Sequence, residues 1–275
     1  MPMLELPDAS LHYIQRGKGP DIVWVPGGDN VAEDWEEQFA AFEGSYRNIS
    51  FDPRGAGRTV SRREPPWLIE DFTADCAALI RAVCKPPVFV AGLSMGAKIV
   101  LQMALDHPDL VRAGIAMGVS GRPRGFLKDW LEAEVEFRRR GGRLSREFAV
   151  CHYAAFMYPS EVLGDDKLWT KVRPFVDRSY GEREGQFLAA QWQACIDYDI
   201  TGRLPQCQVP GPMAKSCPPR WMMSTWEAVF IPMAAMPTAW GRAMADCRQA
   251  TCPSMSSPFP RTCRPRSSTA ATSHR

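Results

Sequence analysis

At 275 residues, the chain is long enough for one large domain or for one domain that carries an insertion. It has no basic run followed by an apolar core near Met1 and no stretch of about 20 uninterrupted apolar residues, so neither a secretory signal nor a membrane span is expected. Without a secretory signal, the nine cysteines are expected to be reduced thiols, and they lack the paired spacing of a zinc site. The composition predicts a cytoplasmic protein without a metal or another cofactor.

The net charge of +2 hides an uneven distribution along the chain. Residues 210–275 carry 8 Lys and Arg against 2 Asp and Glu, whereas the residues before them carry 25 basic and 29 acidic side chains. A basic segment can indicate binding to nucleic acid or to an anionic membrane. Its arginines are not interleaved with aromatic residues on a defined element, as they are on many nucleic-acid surfaces. We therefore expect neither nucleic acid nor a membrane as a partner.

Strand patterns alternate with helix patterns over the first 120 residues. The predicted strands lie in LELPDASLHYIQRGKGP, which holds two short ones, and in DIVWVPGG, YRNISF, PPVFVAGLS and RAGIAMGVS. The predicted helices are AEDWEEQFAAFEG, IEDFTADCAALIRAVC and MGAKIVLQMALDHPDLV. This alternation predicts an α/β fold with a doubly wound, mostly parallel sheet.

From Gly121 to about Tyr198 only helical patterns follow, most clearly in FLKDWLEAEVEFRRRGG and REGQFLAAQWQACIDYD. A helical block inserted after a sheet strand is typical of a cap that shapes a substrate pocket and excludes water. QCQVP then indicates the approach to another strand. We therefore divide the chain into a core (1–120), a helical cap (121–200) and an aberrant C-terminal segment (201–275) that replaces the last core strands.

One motif carries most of the functional information: Gly92-Leu93-Ser94-Met95-Gly96, between a predicted strand and a predicted helix. A serine hydroxyl is a poor nucleophile unless it is exposed, sharply presented and next to a base. Small flanking residues allow the strained strand-to-helix turn that presents it, because larger side chains there would clash. The motif predicts Ser94 as a catalytic nucleophile. The alternative is an ordinary tight turn with a buried serine.

With this motif the chain resembles the α/β-hydrolase fold family. VWVPGGDN falls where that family carries its oxyanion loop, with Pro26 in place of the usual histidine, and FDPRGAGRTV is similar to its loop after the fourth strand. The resemblance implies that the backbone N–H groups of Gly28 and Met95 hold the negative oxygen of a tetrahedral intermediate. Asp29 and His152 are candidate pocket residues.

The family's order places an Asp or Glu, and then a His, after the nucleophile. His12 precedes Ser94, His107 closes the helix after it, His152 lies in the predicted cap, and His274 is next to last. His152 is a weaker candidate for the base. The sequence therefore predicts that the acid and the base of the triad are missing from this chain and that its activity is impaired.

Residues 210–275 have the composition neither of a folded segment nor of a natural disordered tail. They hold 10 of the 24 prolines, 7 of the 13 methionines and 3 of the 9 tryptophans, but no Leu or Tyr. Dense proline excludes regular helix and central strand, whereas disordered tails are poor in Trp and Met. Back-translated and reread from the third base of each codon, residues 249–253 permit Gly-His-Leu-Pro, which resembles the family's catalytic histidine motif. We interpret the segment as coding sequence read in a shifted frame. The alternative is a divergent C-terminus.

The sequence thus predicts a serine hydrolase for a small hydrophobic ester, lactone or related acyl substrate. Two alternatives stay open: a non-catalytic, truncated hydrolase fold that at most binds a ligand, and a C–C bond hydrolase of the same fold. The exact substrate and the oligomeric state do not follow from the sequence.

Overall fold

The computed structural model describes residues 2–181 and 187–209. Within them, seven strands form one sheet in the order β1-β2-β4-β3-β6-β7, and β5 also pairs with β2. The strands are β1 (Met3–Glu5), β2 (Ala9–Arg16), β3 (Asp21–Val25), β4 (Arg47–Phe51), β5 (Val60–Ser61), β6 (Val88–Leu93) and β7 (Val111–Met117). The expectations for 210–275, namely an irregular tail, a shifted frame and the place of His274, concern residues outside the described ones.

The sheet is antiparallel at its start and parallel beyond it. β2 pairs antiparallel with β1, β4 and β5, whereas β3 pairs parallel with β4 and β6, and β6 pairs parallel with β7. The predicted mostly parallel α/β sheet is therefore confirmed. The two-residue strand β5 was not predicted, since two residues are too few to show a pattern.

Helices cover both faces of the sheet, which explains why β3 is apolar at successive positions. The helices are α1 (Glu36–Phe42), which follows a 3₁₀ turn at Ala32–Trp35, α2 (Ile69–Val83) and α3 (Met95–Asp106). Ile22 and Trp24 of β3 pack with aromatic residues of α1. Val23 and Val25, on the opposite face, pack with α2 and α3. Alternate strand residues point to opposite faces, so a strand covered on both sides must be apolar throughout.

The predicted third helix ran too far, to Val111. α3 ends at Asp106, and Val111 already begins β7. Pro108 explains the early end, because the residue before a proline is disfavoured in the helical conformation.

Among the described residues after β7, five helices occur: α4 (Phe126–Arg139), α5 (Arg146–Met157), α6 (Ser160–Leu163), α7 (Asp166–Val176) with a π-helical turn at Asp177–Gly181, and α8 (Leu188–Asp197). We call α4–α8 the helical segment. It has its own apolar cluster, to which Leu188 and Trp192 of α8 belong. Ala194 and Cys195 of the same helix pack instead into the core beneath the sheet. α8 therefore joins the helical segment to the sheet.

The chain after α8 forms a 3₁₀ turn at Leu204–Gln206, and Val209 is buried against the sheet core. The strand expected after QCQVP lies outside the described residues. No helix in the described part of the chain is long and apolar enough to cross a membrane.

Candidate active site

Ser94 lies at the turn between β6 and α3, with φ 54° and ψ −112°. Its side chain is exposed, and its N–H donates a hydrogen bond to the Met117 carbonyl at the end of β7 (2.9 Å). Residues with a side chain rarely adopt a positive φ, and holding one there costs about 1–3 kcal/mol. The strained turn raises the hydroxyl above the carboxyl ends of the parallel strands. This geometry differs from an ordinary turn with a buried serine.

Two glycines make the turn possible. A Cβ atom on Gly92 would lie 2.4 Å from the Gly96 carbonyl oxygen, and one on Gly96 would lie 2.1 Å from the Val25 carbonyl oxygen. Both distances are far below van der Waals contact, and both neighbours are backbone atoms that cannot move aside. The G-x-S-x-G spacing is thus a packing requirement of this turn.

The loop after β3 lies beside Ser94. A Cβ atom on Gly27 would lie 3.3 Å from the Leu93 carbonyl oxygen and 3.6 Å from the Ser94 Cβ, so the loop packs against the turn that carries Ser94. The Asn30 N–H donates to the Gly27 carbonyl (3.3 Å), which closes a turn, and Asp29 within it has φ 60°. Gly28 lies on this turn, directly after Gly27, and Met95 is the buried residue that follows Ser94 and begins α3. These are the two expected sources of oxyanion-hole N–H groups.

The helical segment contacts the same loop from above. A Cβ atom on Gly28 would lie 3.0 Å from Trp192 Nε1 and 3.5 Å from Leu188 Cδ1, both on α8. Gln191, between them, is fully buried. Its Oε1 accepts a hydrogen bond from the Asp29 N–H (2.7 Å), and its Nε2 donates to the Arg54 carbonyl (2.7 Å).

Sequence reasoning missed Gln191. The only available signal was a polar residue within the apolar pattern of FLAAQWQACI, and that pattern does not reveal a partner 162 positions away.

Lys98, one helical turn after Ser94, was also missed. Its Nζ donates to the Ser120 carbonyl beyond β7 (3.0 Å) and lies 5.0 Å from the centre of the Tyr198 ring. Burial lowers the pKa of Lys98, because the charged form loses its hydration. The signal was a lysine inside the apolar run GAKIVLQMAL. Its contacts attach α3 to the loop that enters the helical segment.

Each of the three described histidines contacts a side chain other than Ser94. His12 is fully buried and pairs through Nδ1 with Asp52 (2.9 Å), whose carboxylate also accepts the Ala32 N–H (2.8 Å). His107 contacts Arg81 at the end of α3. The Asp52 carboxylate, which follows β4, therefore joins His12 of β2 to the 3₁₀ turn at Ala32–Trp35.

His152 lies within the helical segment, as expected from the sequence. Its Nε2 is hydrogen-bonded to Glu134 of α4, and its ring stacks with Trp130 and Phe148. All of these partners belong to α4 and α5. Among the described residues, therefore, the structure does not bring His152 into contact with Ser94, and its role in the pocket stays a prediction.

No group of three or more His, Cys, Asp or Glu side chains that could hold a metal ion occurs within residues 2–181 and 187–209. The arrangement offers instead an exposed serine at a strained turn, with a glycine loop packed against it. That combination suits attack on an acyl carbon, with backbone N–H groups holding the resulting negative oxygen.

Residues 20–167 match the model of the alpha/beta hydrolase fold family. The chain belongs to this family. BpoC of Mycobacterium tuberculosis is 30% identical over 159 residues, which are 57% of this chain and 60% of BpoC. The chain thus matches three fifths of the length of that relative.

Solved structures that share the fold include an enol-lactonase and an esterase. The enol-lactonase from Burkholderia xenovorans LB400 has a TM-score of 0.67 at 19% identity, covering 76% of this chain and 79% of its own. A thermophilic esterase from Thermogutta terrifontis has a TM-score of 0.65 at 18% identity, covering 77% of this chain and 78% of its own. At these identities the likeness shows the fold alone.

Proposed function

We propose that this hydrolase uses Ser94 as the nucleophile on a small hydrophobic ester, lactone or related acyl substrate. The observation that carries the proposal is the exposed Ser94 at φ 54°, directly beside the Gly27-Gly28 loop. Its Oγ would attack the acyl carbon and lose its proton to the base of a complete triad, or to water where that base is missing, while the N–H groups of Gly28 and Met95 hold the oxyanion. The alcohol then leaves with a proton, and water releases the acid from the acyl-enzyme.

The helical segment acts in this proposal as a cap over the site, with 1–120 as the core. The contacts of Leu188 and Trp192 with the Gly28 loop support this role, because they close one side of the site with apolar side chains. Asp29 and His152 are proposed as pocket residues. The esterase and the lactonase support the substrate class by analogy of fold.

We further propose that this chain lacks the acid and the base of a complete triad. The engagement of His12, His107 and His152 by other residues supports this view. Without a base the serine stays protonated at neutral pH. Removal of triad members leaves a rate on the order of 10³–10⁴ over water, against losses near 10⁶. The chain is therefore expected to be a feeble esterase.

The test compares p-nitrophenyl acetate hydrolysis by the chain with that of a version whose alternative frame is restored after Val209. The restored version should be far more active, with a pH dependence set by a histidine. Ser94→Ala should abolish that activity, and Ser45→Ala, at an exposed serine outside the site, should leave it unchanged.

Two results would contradict parts of the proposal. Full, Ser94-dependent turnover by the chain with its present C-terminal segment would refute the proposal that the base is missing. It would favour His152 as the base. An inactive restored version, together with no labelling of Ser94 by a fluorophosphonate probe, would favour the non-catalytic alternative. Cleavage of a C–C bond substrate in preference to esters would favour the alternative of a C–C bond hydrolase.

A further inference from the structure

We infer that Gln191 is a positioning residue for the oxyanion loop, so that docking of α8 sets the shape of that loop. The inference rests on the proposed function, and it names the contact through which the helical segment controls the same site. It predicts that loss of this one side chain impairs the chemical step while the substrate pocket stays in place.

Burial and hydrogen bonding define what Gln191 does. The side chain is 0% exposed, and its amide joins three separate segments: α8, the turn at Asp29 and the loop at Arg54. An amide can accept one hydrogen bond and donate another at the same time, and both are used here at 2.7 Å. A buried N–H group that loses its partner is costly, so the Asp29 N–H holds the loop to α8.

The turn itself needs such support. Asp29 has φ 60°, a conformation that residues other than glycine rarely adopt and that persists only when the surroundings enforce it. The peptide between the two central residues of a turn can rotate between turn types. The hydrogen bond from the Asp29 N–H fixes this peptide in one orientation. The preceding peptide carries the N–H of Gly28, so a change in the turn would move the proposed oxyanion donor.

The neighbours of Gln191 on α8 keep it in register with the loop. Leu188 and Trp192, one turn before and one residue after it, lie against Gly28, while Ala194 and Cys195 pack into the sheet core. One part of α8 is thus anchored in the sheet core, while another part contacts the Gly28 loop. A shift of α8 would break the Asp29 and Arg54 hydrogen bonds together.

The experiment uses the full chain with Gln191→Met and Gln191→Glu, and with Gln193→Met as the matched control. Gln193 is on the same helix but bonds only near the surface, with Asp197 and Arg139. With p-nitrophenyl acetate, Gln191→Met should lower kcat roughly 10- to 100-fold with KM changed less than about twofold, because small displacements of catalytic groups cost this much. Gln193→Met should change neither.

Two further readouts separate positioning from a general loss of structure. Hydrogen exchange at the Asp29 amide should become faster in Gln191→Met and stay unchanged in Gln193→Met. A protonated glutamic acid offers one donor and one acceptor, as glutamine does, whereas the ionised form only accepts. The ionised form would set a carboxylate oxygen against the Arg54 carbonyl oxygen, and this repulsion would displace the side chain from the Asp29 turn, so the kcat of Gln191→Glu relative to the parent chain should rise as the pH falls. This ratio decides the matter even if Gln191→Met does not fold.

Unchanged kcat and unchanged Asp29 exchange in Gln191→Met would overturn the inference. A pH-independent ratio for Gln191→Glu would do the same. If instead Ser94→Ala keeps the full rate in the version whose alternative frame is restored after Val209, the proposed function fails, and the positioning role in catalysis fails with it. The results for the Gln191 variants that would overturn the inference leave Ser94-dependent turnover intact. Failure of the inference can therefore be distinguished from failure of the proposed function.

Discussion

The strain at Ser94 predicts that this residue reduces the stability of the fold. Its φ of 54° and ψ of −112° lie in a backbone region that glycine adopts readily and that a Cβ atom disfavours. Ser94→Ala and Ser94→Gly both remove the hydroxyl, and they differ only in the Cβ atom. Since the side chain is exposed, neither variant loses buried apolar surface. The comparison therefore isolates the backbone strain.

Relief of the strain should contribute about 1–3 kcal/mol in the glycine variant. The larger conformational freedom of glycine in the unfolded chain offsets about 0.4–1 kcal/mol of that gain. Ser94→Gly should therefore exceed Ser94→Ala in free energy of unfolding by roughly 0.5–2 kcal/mol. For a domain of this size, that difference corresponds to a Tm higher by about 1–8 °C.

Urea unfolding followed by tryptophan fluorescence, with equal m-values in both variants, is the appropriate assay. The parent chain should resemble Ser94→Ala, because serine and alanine both carry a Cβ atom. If Ser94→Gly is instead the least stable of the three proteins, the turn is not strained and the argument for an imposed nucleophile geometry fails.

Three other predictions concern the scaffold. Gly96→Ala should lower the free energy of unfolding and, in the version restored after Val209, abolish fluorophosphonate labelling of Ser94, since its Cβ would overlap a backbone carbonyl of β3; Gly44→Ala, where nothing lies within 4 Å, should change neither stability nor labelling. Arg54→Met should lower the free energy of unfolding by about 3–5 kcal/mol in urea titrations, because it leaves the buried Asp75 carboxylate without its partner; a loss under 1 kcal/mol would contradict this. For Asp21, burial alone would raise the pKa, but hydrogen bonds from a neighbouring guanidinium and a backbone N–H outweigh it and hold the pKa below its ordinary value of 3.8. Its contribution to stability should be present above pH 3.8 and be lost as the pH falls through the lowered pKa, and Asp21→Asn should remove that part of the acid dependence measured by thermal unfolding.

Local pattern in the sequence was enough for the core strands and helices and for the nucleophile turn. The apolar run of β3 can be recognised in the sequence because helices cover both faces of this strand. The glycines around Ser94 can be recognised because the steric clash that each avoids involves a residue close in sequence or in the adjacent strand. Proline placement also mattered, and neglect of Pro108 made the predicted α3 too long. Element type follows from short-range periodicity, whereas element ends depend on single residues.

The contacts that shape the site could be decided only by the tertiary structure. The sequence does not show that Gln191 reaches Asp29 and Arg54, or that Lys98 reaches Ser120, because a helical pattern gives the face of a residue and not its partner. The same limit applies to His152, whose place in the helical segment followed from the sequence but whose attachment to Glu134 did not. Side-chain hydrogen bonds between distant segments depend on how helices dock on the sheet. That docking is set by the packing of the whole core and not by any local run of residues.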